Sequence, residues 1–365
     1  MSTITIAAVG DVALLRRPGA TLFRTGWDTA AVRIANLEAP LTEGGIPAPK
    51  LIRLKSPLES AAWLRDDLGC TAVSLANNHI MDWGVPGLES TLEALDGAGI
   101  HHAGAGPTHA QASVHRLLEV NGSKIAFLSW ACTVPPGFRA TEHQPGLAAL
   151  RVRTSYAADP MLIDEQPGTP PWVHTDPWAE DVARLEAALT AARGDADFVI
   201  LAIHWGVPPQ WGSNFQGPLA EYQEALAPRL AAAGADLVLG HHAHTVYGVQ
   251  SFGTALVCYS LGNYIFHPLA GPRETIPLEA PSRPYHAPER PENRDSFVAT
   301  FTLERGDGRL ALGEARFRPA ILDETWEAQR ASEDAASRIA NRLKAFSDWR
   351  QTPTRPDGTD MVWQP

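Results

Sequence analysis

Short apolar runs alternate along this chain with stretches of helical spacing, and the runs end in polar residues. Residues 4–9 (Ile-Thr-Ile-Ala-Ala-Val) read as a buried strand that stops at Gly10-Asp11. Residues 31–37 form a second apolar segment, closing in Asn36-Leu37-Glu38, and residues 71–75 a third, followed at once by Ala76-Asn77-Asn78-His79. The layout returns at 123–129, 197–203, 237–239 and 254–260. The last three lead into His204, into His241, His242 and His244, and into Asn263. Apolar runs of this length, bounded by Gly, Asp or Asn, fit strands buried on both faces. Between them, residues 58–68 have helical spacing, and Leu88, Leu92 and Leu95 fall on one face of a helix closed by Gly97 and Gly99. Helices are also predicted over 178–193, with Val182, Leu185 and Leu189 inward, over 218–233, where Pro228 should kink or divide the helix, and over 323–349.

Residues 101–106 read as a loop, 296–303 and 309–318 as antiparallel strands joined by Arg305-Gly-Asp-Gly308, and the last sixteen residues as a polar tail. Repetition of helix, buried strand and polar residue predicts an α/β protein whose ligands bind beyond the carboxyl ends of the strands. The expected organisation is one domain over 1–322, with loop insertions near 134–177 and 267–294, then a C-terminal helix and tail over 323–365.

Composition narrows the function classes. The chain is 44% hydrophobic and 19% charged with a net charge of −11, and no basic cluster stands out, so nucleic acid is not the expected partner. No apolar stretch approaches the roughly 18 residues of a membrane span. The first residues lack the positive n-region of a signal peptide. Cys70, Cys132 and Cys258 are far apart and in no CxxC spacing, so they read as reduced core residues. Together these point to a cytoplasmic location with no membrane partner. Gly104-Ala-Gly106 lacks both GxGxxG and the P-loop lysine, which argues against nucleotide binding.

The candidate chemistry sits at the strand ends: Asp11, Glu38, Asn78 with His79, His204, His242 with His244, and Asn263. Carboxylate, amide and imidazole donors on successive strand ends suit a hard or borderline divalent cation, and the mixture admits Ca, Mn, Mg or Zn. No thiolate lies near the set, which excludes a structural cysteine–zinc site. His79 and Asp82 are spaced so that the carboxylate can orient the imidazole for proton transfer. There is no GxSxG elbow, and neither Ser129 nor Ser260 carries a triad-like surrounding.

Gly10-Asp11, Asn36-Leu37-Glu38, Ala76-Asn77-Asn78-His79 with Asp82, His204-Trp205-Gly206, Gly240-His-His-Ala-His244 and Ser260-Leu-Gly-Asn263 resemble, in order, the motifs of the CapA (poly-γ-glutamate capsule) family. That family belongs to the calcineurin-like metallophosphoesterase superfamily, and the resemblance runs over roughly residues 3–267. It implies a four-layered α/β/β/α sandwich and a metal site built from Asp11, Glu38, Asn78, His204, His242 and His244, with His241 packing behind.

Two departures bear on activity. Superfamily phosphatases carry GDxH, where this chain has Gly10-Asp11-Val12-Ala13, and Asn36-Leu37-Glu38 stands in place of the second aspartate motif. One divalent metal is therefore expected, without the two-ion clamp of phosphoester hydrolysis. In overall character the chain is similar to the soluble members of the family that epimerise lasso-peptide precursors. That resemblance implies a metal-dependent epimerase with no organic cofactor, inverting the Cα of a C-terminal residue in a precursor peptide. Inversion asks for two acid/base pairs, drawn from Asp11, His79, Asp82, His204 and His242. Trp83, Trp130, Trp172, Trp205 and Trp211 could hold the apolar end of the peptide, Lys50, Arg53 and Lys55 its carboxylate or acidic flanks, and Asn263 is a further substrate contact. The alternatives are an amide ligase or hydrolase acting on poly-γ-glutamate-like polymers, a metallophosphoesterase, or a binding module that kept the fold without the chemistry.

Overall fold

The apolar runs become the central strands of two stacked sheets. The structure, a computed structural model, describes residues 3–50, 52–206, 219–267, 291–306 and 308–365. Among these, the first sheet runs in the order Arg355–Asp357, Asp360–Trp363, Leu310–Leu322, Asp295–Arg305, Ile4–Ala13, Val32–Leu37, Ala72–Ser74 and His101–Ala103. Asn263–Phe266 adds to it in parallel beside Ile4–Ala13. The second sheet runs Val249–Phe252, Ala255–Cys258, Leu237–His241, Phe198–His204, Ser123–Ala131 and Arg116–Val120.

Strand alternation assigns the layers. Ile4, Ile6, Ala8, Val32, Ile34 and Ala72 of the first sheet meet Ile125, Phe127, Phe198, Ile200, Leu237 and Leu239 of the second. The intervening residues Ala7, Val9, Ala35, Leu37 and Val73 turn outward to Leu64, Leu88 and Leu95 of the helices on that side. On the far side, Ala126, Leu128, Val199 and Leu201 meet Val182, Leu185 and Leu189 of helix Ala179–Asp195 and Leu226 and Leu230 of helix Glu221–Ala232. Helix, sheet, sheet, helix is the expected four-layered α/β/β/α sandwich. Each apolar side chain buried between layers contributes roughly 1.5–3 kcal/mol, so a one-residue slip of any central strand would be costly.

Several elements differ from the sequence reading. Residues 101–106 hold two short strands, His101–Ala103 and Ala105–Gly106, the first extending the parallel sheet beside Ala72–Ser74. The 134–177 insertion contains a two-stranded ribbon, Val152–Ala157 with Trp172–Pro177, around helix Pro160–Glu165. Pro228 lies on the exposed face of Glu221–Ala232, and the helix runs through it. The last helix begins only at Glu333, capped by the Ser332 hydroxyl on the Ala335 amide, because 328–330 pairs as a strand with Leu310–Leu322. The C-terminal residues form a hairpin, not a tail: Asp360–Trp363 pairs with Leu310–Leu322 and buries Met361, Val362 and Trp363. No helix among the described residues is long and apolar enough to cross a membrane. Trp211 and residues 268–290 of the second insertion lie outside the described residues.

Candidate metal centre

The polar strand ends converge because the strands that carry them are parallel and adjacent. Asp11 is in register with Asn36 on one side and with Asn263 on the other, and Asn36 with Ser74. In the second sheet, His204 is opposite His241. The approach is too close for side chains at the glycines that precede the ligands. A Cβ on Gly10 would sit 1.8 Å from the Gly262 carbonyl oxygen, and one on Gly240 2.2 Å from that of Tyr259.

Asp11 is fully buried. Its Oδ1 accepts a hydrogen bond from Asn36 Nδ2 at 2.8 Å, and its Oδ2 accepts the His242 amide at 3.3 Å and faces His244 Nδ1 at 3.3 Å. Glu38 is also fully buried, yet neither of its oxygens has a hydrogen-bond partner among the described residues. Glu38 Oε1 lies 3.5 Å from His204 Nε2 and 3.7 Å from His244 Nε2. His204 Nε2 is 2.8 Å from Asn78 Oδ1 and 3.1 Å from His242 Nδ1, and His244 Nδ1 is 2.8 Å from Asn263 Oδ1. Two sets of ligand atoms result, Glu38/His242/His244 and Asp11/Glu38/His204, each mutually within 4.8 Å and both using Glu38.

The donors fit a cation. A buried carboxylate with no hydrogen bond costs several kcal/mol unless a proton or a positive charge compensates it. Burial, with Asp11 alongside, pushes the Glu38 carboxyl well above the usual range. Burial also holds His204 well below the usual imidazole range and His242 down at about 3, with neighbouring imidazoles adding to both. Neutral imidazoles are what a metal requires. For His244 burial works downward, but Glu38 and Asp11 outweigh it and raise it to about 9. For Asp11 burial works upward, and the hydrogen bond and charge of His244 overcome it. His242 and His244 also hold left-handed backbone, with φ of 90° and 48°. Each such residue costs roughly 1–2 kcal/mol, and strain of that kind collects where side-chain placement matters for function.

His79 and Asp82 stand beside this cluster and form a pair of their own. His79 Nδ1 is 2.6 Å from Asp82 Oδ2, which also accepts the Leu54 amide at 2.6 Å. Asn77 shapes the turn that presents them: its Oδ1 accepts the His79 and Ile80 amides, both at 3.0 Å, and its Nδ2 donates to the Leu37 carbonyl at 2.8 Å. Asn77 and Asn36 had no assigned part in the sequence reading. Their positions, Asn77 directly before Asn78 and Asn36 two residues before Glu38, were the available signal.

The expected residues divide. Asp11, Glu38, Asn78, His204, His242, His244 and Asn263 come together, with His241 buried outside both ligand sets. Asp11, His204 and His242, expected also as proton carriers, are taken up by the ligand sets. Trp205 is a correction: it is fully buried, stacked on Tyr259 with ring centroids 5.5 Å apart and its Nε1 bonded to the Tyr259 carbonyl, so it packs the core and lines no substrate surface. Trp130 is likewise buried, and Trp172 sits exposed on the 152–177 ribbon. Arg53 donates to the Ala48 and Lys50 carbonyls at 3.3 and 2.8 Å, which makes it a brace of its own loop. Trp83 stays partly exposed, bonded to the Leu54 carbonyl, with Lys55 Nζ 5.0 Å from its ring centre. Ala13 faces Ala39, Leu54 and Phe266, an apolar cluster that takes the place of a further nitrogen ligand.

The chain resembles several curated proteins. It is 32% identical over 240 residues to "Uncharacterized protein y4sH" of Sinorhizobium fredii, covering 56% of this chain and 51% of that one. It is 26% identical over 278 residues to "Capsule biosynthesis protein CapA" of Bacillus anthracis, covering 72% and 60%. It is 28% identical over 234 residues to "PGA biosynthesis protein CapA" of Bacillus subtilis, covering 63% and 52%. The chain thus spans about half the length of the curated relatives it matches. Residues 5–268 match the family described as bacterial capsule synthesis protein PGA_cap. That match contains every strand end that carries a candidate ligand, from Asp11 to Asn263, and the chain belongs to the bacterial capsule synthesis protein PGA_cap family.

Proposed function

We propose that this chain is a metal-dependent hydrolase of amide bonds in an anionic, γ-glutamyl-type polymer. The observation that carries the reading is the separation of two devices: Glu38, without a hydrogen-bond partner among the described residues and shared by two ligand sets, and one imidazole–carboxylate pair, His79–Asp82, next to them and outside both. The relatives named for capsule and PGA biosynthesis support the substrate class.

Asp11, Glu38, Asn78, His204, His242 and His244 would hold the metal, and sharing of Glu38 fits two cations where the Ala13 substitution had suggested one. Bound there, divalent metal supplies Lewis acidity and a lowered pKa for water. In the reaction itself, water adds to the amide carbonyl carbon and the C–N bond breaks. His79, with Nδ1 committed to Asp82, has Nε2 left to take the proton from water and return it to the departing nitrogen. Epimerisation at Cα would need a second acid/base group on the opposite face. Among the described residues the other imidazoles near the site are His204, His242 and His244, which belong to the ligand sets, and His241, which is buried outside them.

The test is to incubate the metal-depleted chain with poly-γ-glutamate, with and without Mn²⁺, Zn²⁺ or Mg²⁺. Polymer length and new amino termini are measured, and the metal bound per chain is counted by native mass spectrometry. Metal-dependent shortening, with one new amine per cut, is the expected result. Deuterium entering a Cα from D2O without any cut would replace the reading by epimerisation, and cleavage of a phosphodiester probe alone would replace it by phosphoester hydrolysis.

A further inference from the structure

Lys50 belongs to an irregular loop that crosses over the turn carrying Asn78, His79 and Asp82. The loop is stitched to that turn by backbone: Ile46 N–H donates to the Trp83 carbonyl at 3.1 Å, and Ala48 N–H to the Asp82 carbonyl at 2.8 Å. From it the Lys50 ammonium reaches the Asn78 carbonyl at 2.5 Å, Asp82 Oδ1 at 2.7 Å and His79 Nδ1 at 3.3 Å, and it lies 5.5 Å from the centre of the Phe138 ring.

We propose that Lys50 is a positioning residue for the His79–Asp82 pair. Asp82 is completely buried, and a carboxylate there needs a positive partner to be tolerated. Lys50 is that partner, and Arg53, close by in sequence, is occupied with carbonyls of its own loop. With Oδ1 fixed by Lys50 and Oδ2 by the Leu54 amide, the carboxylate has no rotational freedom, and the imidazole plane of His79 is set by its 2.6 Å contact to Oδ2. The same ammonium grips the peptide carbonyl of Asn78, whose side chain meets His204 in the ligand set. One side chain therefore fixes the distance between the proton-transfer pair and the metal ligands. The sequence reading had Lys50 meeting a substrate carboxylate. Its contacts assign it instead to the protein's own carboxylate.

The kinetic arm of the test rests on the hydrolase reading, and the spectroscopic arm does not. In the full-length, metal-loaded chain, Lys50→Met should lower kcat about 10- to 100-fold, the range seen when a partner behind a reacting group is removed, with KM nearly unchanged. Lys50→Cys alkylated with 2-bromoethylamine restores an ammonium on a stem of equal length and should recover kcat. The native cysteines are buried and escape the reagent. The Nδ1–H proton of His79, assigned by its absence in His79→Gln, should give a downfield NMR resonance in the wild type that is shifted or lost in Lys50→Met and returns on alkylation. An unshifted resonance, or a raised KM at unchanged kcat, overturns the proposal. If the wild type fails to cut the polymer, the function reading falls and the resonance still decides the role of Lys50.

Discussion

Replacing Glu38 by Gln should change the sign of its effect when metal is added. The substitution keeps shape and removes charge at a position that is fully buried, without a hydrogen-bond partner among the described residues, and shared by both ligand sets. In the metal-free protein the Glu38 carboxyl is held well above 4.5 by burial and by Asp11. A folded-state pKa raised above the unfolded one contributes stability that is complete below the unfolded value and lost as pH rises through the folded value. Each unit of difference corresponds to about 1.4 kcal/mol, and a large domain melts roughly 2 °C higher per kcal/mol gained. In EDTA at pH 7.5 the Glu38→Gln protein should therefore melt a few degrees above wild type, and the two should converge near pH 4. With Mn²⁺ or Zn²⁺ at 100 times Kd, wild type gains about 2.7 kcal/mol. The variant, with an amide where both sets need a carboxylate, should gain little, so the order of melting temperatures reverses. Scanning calorimetry in both conditions is the assay. Glu38→Gln melting below wild type in EDTA, or keeping the full metal shift, would refute the reasoning.

Other outcomes follow from the same geometry. His79→Gln should retain the metal content of wild type by atomic emission and lose about 10²- to 10⁴-fold in kcat, since His79 pairs with Asp82 and not with the ligand sets. Trp363→Ala should cost about 3–5 kcal/mol in urea unfolding, because Trp363 is buried against the first sheet, whereas a solvated tail would register no change. Asp181 is bonded by Arg151, which overcomes burial and holds its carboxyl below 3.8. A depressed folded pKa gives stability that is present above the unfolded value and lost as pH falls through the folded one. Arg151→Met should therefore destabilise by about 1–2 kcal/mol at pH 7, with the gap closing below pH 3 in acid titrations of unfolding.

The buried strands and the polar residues at their ends were legible in the sequence because both are local signals repeated, whereas the four-layered stacking came only with the family resemblance. An apolar run fixes a buried strand, and a polar residue at its end has to lie on the rim where the sheets present their carboxyl edges. What resisted reading depended on distant partners. Trp205 follows His204 directly and shares its apparent context, yet Tyr259, remote in sequence, takes its ring and its N–H. The C-terminal residues look polar because their apolar side chains are few, and Met361, Val362 and Trp363 are buried only once Leu310–Leu322 offers an edge. Lys50 and Arg53 lie in one loop and look interchangeable as substrate cations. Their acceptors, Asp82 and Asn78 for one and loop carbonyls for the other, appear only when the loop closes over the turn.

The choice between inversion and hydrolysis comes down to how many proton carriers would remain once a metal took its candidate ligands. The sequence offers five histidines near the strand ends, enough for two acid/base pairs and a cation together. The structure apportions them. His204, His242 and His244 converge on Glu38, and His241 is buried outside both ligand sets. Of these five, among the described residues, His79 alone pairs with a carboxylate outside both ligand sets, and that carboxylate is itself neutralised by Lys50. One oriented imidazole can take a proton from water and hand it to a departing amine on the same side, in successive steps of one reaction. It cannot remove a proton from one face of a carbon and deliver another to the opposite face. Ala13, walled by Ala39, Leu54 and Phe266, adds no nitrogen that would release one of the three ligand histidines for that second task.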